Sequence, residues 1–129
     1  MTFVDTSALF AIIDADDSRH DDASRILTAL LERREQLVTT RYIEVEAFAL
    51  VQARLGMRSV SQVEDLLNAI RIERIEDTIH AQAKGMFLAQ SRRKLSFVDC
   101  TSFAFMRASG ILHAFAFDAH FAEFGFTLA

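Results

Sequence analysis

Short apolar runs alternate with helical patterns along almost the whole chain, and this alternation limits the possible folds more than any other feature. Strands are expected at 2–5, 36–39, 70–75 and 111–117, with a last edge strand at 126–128. Helices are expected at 6–15, 19–35, 41–55, 61–70, 76–90 and 99–109. Leu9, Ile12 and Ile13 recur at helical spacing, as do Ala23, Ile26, Leu27, Leu30 and Leu31. Gly56 and Gly110 are C-terminal helix stops. Strands separated by helices call for right-handed crossovers and a mostly parallel sheet covered on both faces. The expected fold is therefore a three-layer α/β/α sandwich around a central parallel sheet of four or five strands.

Composition fits one such domain spanning 1–129. Hydrophobic residues make up 51% of the chain, enough for a full core, and there is no proline and only four glycines, which argues against a loop-rich or linker-rich protein. The single cysteine, Cys100, cannot form an internal disulfide and reads as a small buried residue. The apolar stretch Ala8–Ile13 runs directly into Asp14 without a basic leader, so neither a signal peptide nor a membrane span is expected, and the cytoplasm is the simplest location. A formal net charge of −4 does not advertise a nucleic-acid binder. Any RNA contact would need local cations, for which Arg41, Lys94 and Arg107 are candidates.

In parallel α/β sheets the ligand crevice lies outside the carboxyl ends of the strands. Asp5 ends the first apolar run, and Asp118 ends the run AFAF. Asp99 follows Leu95-Ser96-Phe97-Val98 and should open a helix. The helix after the second strand carries two glutamates, Glu44 and Glu46. They point about 200° apart on a helix of ~3.6 residues per turn, so only one can face the crevice. Each acid alone is an ordinary cap or surface residue; their shared placement at one sheet edge is what points to chemistry. Carboxylates ~4 Å apart repel by about 1 kcal/mol in water and about 4 kcal/mol near a protein surface. Protons or a cation must offset this. Oxygen ligands favour Mg²⁺ or Mn²⁺, which can activate water for attack on a phosphodiester.

Three segments, VDTSALFAII at 4–13, TTRYIEVEAFALVQARLG at 39–56 and LSFVDCTSFAFMRASGILHAFAFDAHFAEFGF at 95–126, resemble the PIN domain, most closely the VapC-type toxins of bacterial toxin–antitoxin pairs. They cover nearly half of the chain. The resemblance implies that Asp5, Glu46, Asp99 and Asp118 form an acidic catalytic quartet, with Asp5, Asp99 and Asp118 as metal ligands. It favours Glu46 over Glu44. Thr6 and Ser7 match the family's Asp-Thr-Ser opening, and Ser102 matches a polar position one turn after the third acid. It further implies an Mg²⁺-dependent ribonuclease (Mn²⁺ substituting), neutralised by a cognate antitoxin and dimeric. With acids and no histidine pair, the expected nucleophile is activated water and not the RNA 2′-OH. His120, two residues past Asp118, could contact a phosphate or protonate a leaving group at the crevice, but reads more simply as an exposed helix-turn histidine; His113 reads as a partly buried strand residue.

Two other functions fit a similar layered fold. A phospho-receiver module would need an acceptor Asp after the middle strand, and 70–75 has none. A non-catalytic PIN-like scaffold is the other, although all four acids are present.

Overall fold

The computed structural model describes residues 1–129. In chain order it contains β1 (Thr2–Val4), α1 (Thr6–Ile13), α2 (His20–Glu32), β2 (Leu37–Thr40), α3 (Arg41–Leu55) and α4 (Met57–Leu67). There follow β3 (Arg71–Glu73), α5 (Asp77–Gln90), α6 (Phe97–Ser109), β4 (His113–Phe115), α7 (His120–Glu123) and β5 (Thr127–Leu128). The five strands form one sheet in the order β3-β2-β1-β4-β5, and every pairing is parallel. Seven helices flank this sheet, giving the expected three-layer α/β/α architecture.

The central position of β1 follows from its composition. Thr2, Phe3 and Val4 are all buried, as a strand covered on both faces and paired on both edges must be. Thr2 aligns with Leu37 on one side and His113 on the other. From β1 the chain builds outward through β2 to β3, then crosses to β4 and β5 on the opposite side. The reversal of strand order therefore lies between β1 and β4, the place where such sheets open a crevice.

Phenylalanine dominates the core. Phe103 stacks on Phe124 at 4.8 Å between ring centroids and meets Phe121 edge-on at 4.9 Å. Phe3 and Phe121 are fully buried, 6.2 Å apart, which ties the central strand to α7. No helix is long and apolar enough to cross a membrane.

Several boundaries differ from the expected ones. α4 begins at Met57 and not at 61, because Gly56 alone breaks the chain direction: its φ of 89° and ψ of 179° end α3 and admit α4 at once, without a side-chain cap. That conformation is open essentially only to glycine. α6 begins at Phe97, two residues before Asp99, because Ser96 is its N-cap. β4 keeps only His113–Phe115 of the run 111–117, and the helical turn expected just after Asp118 is the short α7. Four residues are too few to show helical periodicity.

Candidate metal centre at the carboxyl edge of the sheet

Asp5 directly follows β1 and is the N-cap of α1. Its Oδ2 accepts from the backbone N–H of Ser7 at 3.1 Å and from the Ser7 hydroxyl at 2.6 Å. The same Ser7 Oγ accepts from the backbone N–H of Phe117 at 3.0 Å. The Asp5 N–H in turn donates to Phe115 O at 3.0 Å. One aspartate–serine pair thus locks the end of β1 to the segment leading out of β4. Asp5 is only 4% exposed. Burial pushes its pKa from the ordinary 3.8 up to about 7, against the lowering effect of both Ser7 bonds; the charges of Asp99 and Glu46 push it further up.

Asp99 sits in the first turn of α6 and closes a capping box. Its N–H donates to Ser96 Oγ at 2.9 Å, and its Oδ2 accepts from the Ser96 N–H at 3.0 Å. Burial raises its pKa, and the Asp118 charge adds to this. Glu46 lies on α3, whose N-cap Thr40 ends β2. Burial raises its pKa first; the Thr6 hydroxyl lowers it, and the charges of Asp99 and Asp118 raise it again. Glu46 is therefore the glutamate of α3 turned toward the other acids. Asp118 follows β4, and its Oδ1 accepts from the His120 N–H at 2.9 Å.

His120 departs from expectation. Its side chain is 19% exposed, with Nδ1 2.9 Å from Asp118 Oδ1 and 3.9 Å from Asp99 Oδ2. Neither approach has hydrogen-bond geometry, so this buried nitrogen has no bonded partner. The cause is α7, which buries Phe121 in the core and thereby turns its neighbour back over the acids. The spacing Asp118-x-His120 was the only sequence signal for it.

The ligand atoms of Asp99, Asp118 and His120 all lie within 4.8 Å of one another. Asp5 stands outside that tight group, coupled to it through its effect with Asp99 and Glu46. Two more groups fit an ion with its water shell. Ser102 Oγ is buried without any hydrogen-bond partner, and Thr6 Oγ1, close enough to Glu46 to lower its pKa, is buried without a bond of hydrogen-bond geometry. Such orphans are rare and call for an occupant. Thr6 adjoins Asp5; Ser102 is three residues after Asp99, on the same face of α6. Three carboxyls raised by burial and mutual repulsion, with orphaned hydroxyls beside them, suit a hard divalent cation.

The candidate cations separate clearly. Arg41 is exposed at the first position of α3, and Lys94 is exposed two residues before the Ser96 cap. Arg107 is not at this edge. It lies eight residues beyond Asp99, about 12 Å along the helix. Its guanidinium donates to Phe124 O at 3.0 Å and covers the rings of Phe124 and Phe126. Arg19, which the sequence did not single out, stands 5.5 Å over the ring of Phe117, beside Asp118.

Comparison with known proteins agrees with this geometry. The PIN domain family model matches residues 2–127. The 23S rRNA-specific endonuclease VapC20 of Mycobacterium tuberculosis is 34% identical over 128 residues, covering 98% of this chain and 95% of that protein. The crystal structure of Mycobacterium tuberculosis VapC20, a sarcin–ricin loop cleaving toxin, superposes with a TM-score of 0.87 at 32% identity, covering 98% of this chain and 97% of that one. A Pyrobaculum aerophilum protein shares the fold with a TM-score of 0.63 at 21% identity, covering 98% and 87%. The chain belongs to the PIN domain family, as a VapC-type member.

Proposed function

We propose that this protein is an Mg²⁺-dependent endoribonuclease, the toxin of a toxin–antitoxin pair, and that it cuts the sarcin–ricin loop of 23S rRNA. The observation that carries the chemistry is the convergence of Asp5, Glu46, Asp99 and Asp118, from four separate segments, at the crevice end of one parallel sheet. The choice of RNA rests on the nearly full-length similarity to VapC20.

Asp5, Asp99 and Asp118 would hold the ion, with His120 close enough to join them. A bound Mg²⁺, for which Mn²⁺ can substitute, supplies Lewis-acid charge to the phosphodiester and lowers the pKa of water beside it. Glu46 accepts the proton of the attacking water; its raised proton affinity, set by burial and by Asp99 and Asp118, suits a general base. Ser7 fixes the Asp5 carboxylate, and Thr6 and Ser102 offer hydroxyls to the hydration shell. Arg41 and Lys94 meet the RNA backbone, offsetting a chain of formal charge −4. A lone histidine does not form the acid–base pair that attack by a 2′-OH needs, so water is the nucleophile.

A cognate antitoxin, a homodimer and a cytoplasmic setting complete the reading, as the VapC-type resemblance implies. The test is to incubate ribosomes with the protein and map the ends of the 23S rRNA. A cut confined to the sarcin–ricin loop, leaving no 2′,3′-cyclic phosphate, is expected. Scattered cuts would reject the substrate, and a cyclic phosphate would reject the nucleophile.

A further inference from the structure

Beside the acids lies a second feature that hydrolysis does not use. Tyr42, His80, Phe97, Val98 and Thr101 line a recess of about 180 Å³. Tyr42 stands one turn before Glu46 on α3, while Phe97 and Val98 directly precede Asp99 on α6. On α6, Phe97 and Thr101 point about 200° away from Asp99, and the recess approaches the acids along α3, where Tyr42 lies one turn from Glu46 on the same face. Its rings are held in place. The Tyr42 hydroxyl is 2.6 Å from His80 Nδ1, the Tyr42 and His80 centroids are 5.7 Å apart, and His80 is 5.2 Å from Phe97. Phe87 backs Phe97 in a flat stack at 5.4 Å.

The Tyr42 hydroxyl and His80 Nδ1 satisfy each other and the Thr101 hydroxyl donates to Val98 O, so the recess offers mainly carbon and π-faces to its occupant. That surface does not suit a phosphate. Half-exposed aromatic rings beside a nuclease centre suit a base lifted out of its stack, the usual way single-stranded RNA is gripped. Arg41, exposed and adjacent in sequence to Tyr42, places a cation for the backbone that carries such a base.

We propose that the Tyr42–His80–Phe97 recess binds an unstacked nucleobase flanking the scissile phosphodiester. This rests on the nuclease reading and deepens it, by assigning the residues that select the RNA register.

The chain offers its own reporter: Tyr42 is the single tyrosine and there is no tryptophan. An RNA hairpin carrying the sarcin–ricin loop is titrated into the full-length protein with Ca²⁺ in place of Mg²⁺. Labelled-RNA anisotropy reads binding, Tyr42 emission reads the recess, and a gel confirms the RNA is intact. Saturable quenching of Tyr42 in step with binding is expected. Phe97→Leu should weaken binding about ten-fold, within the range for one base–aromatic stack, while Phe97→Tyr should stay within about two-fold of wild type. A purely structural role would let Leu serve as well as Tyr. Binding with unchanged Tyr42 emission overturns the recess and leaves the nuclease reading standing. No binding at all overturns both. If Phe97→Leu does not fold, the wild-type emission still decides.

Discussion

At the scale of single residues, Asp5 answers to two demands at once. Both of its bonds from Ser7 fall on Oδ2, which caps α1, and this leaves Oδ1 without a hydrogen bond. Ser7 is the residue through which this arrangement can be tested. Ser7→Ala removes a bond to a buried carboxylate and orphans the Phe117 N–H; a loss of about 1–3 kcal/mol in denaturant-measured stability is expected. The pKa of Asp5 sets a pH dependence as well. Raised from 3.8 to about 7, it keeps a proton in the folded state that the unfolded chain releases. The stability contribution is therefore fully present below pH 3.8 and is lost as pH rises toward about 7. Metal-free protein should melt at progressively lower temperature across that interval. Mg²⁺, which must displace the same proton, should bind more tightly as pH rises and level off above it. A melting temperature flat with pH in EDTA would contradict this. The sequence marked Asp5 readily, because an acid after an apolar strand is visible in one dimension. It marked His120 only by its spacing from Asp118 and favoured an exposed residue, because its place among the acids depends on the burial of Phe121.

At the scale of elements, α6 carries most of the site. Its capping box uses Asp99 for helix stability and leaves that residue at the crevice. Ser96→Ala should cost about 1 kcal/mol, lowering the melting temperature by about 4 °C. It should also release one bond to Asp99, and a calorimetric scan beside an activity assay would separate the two effects. Unchanged melting would show that the cap is not formed. Helices α3 and α6 were legible from their periodicity and glycine stops, α3 at both ends, but the first residues of α4 and α6 were not. The start of α4 depends on the backbone torsions of Gly56, and the start of α6 on whether Ser96 or a later residue caps it. Such choices are settled by packing, not by local preference. Arg107 is a similar case. Spacing from Asp99 placed it on the right helix, yet its position near the C-terminus of α6 commits it to Phe124 and Phe126.

At the scale of the whole molecule, a parallel sheet with the order β3-β2-β1-β4-β5 brings residues 5, 46, 99 and 118 to one edge. The layered fold was readable because buried strands must be apolar and helices must return the chain. The distances within the site were not readable, since they depend on how far each cap and turn carries its carboxylate. A fold that confines so much like charge should be stabilised by a divalent ion. At one hundred times its dissociation constant, Mn²⁺ should add about 2.7 kcal/mol of stability. Asp118→Asn should lose most of that gain while folding normally in its absence. An equal gain in the variant would place the ion elsewhere.

The central claim is that the acidic edge is a metal-dependent nuclease centre. It is tested most directly by cleavage of 23S rRNA by wild type and Asp5→Asn, each with Mg²⁺, with Mn²⁺ and with EDTA. The account predicts cutting by wild type with either ion, none in EDTA, and a loss of at least about 100-fold in Asp5→Asn, the scale on which single catalytic groups act. Equal cutting in EDTA, or full activity in Asp5→Asn, would contradict it.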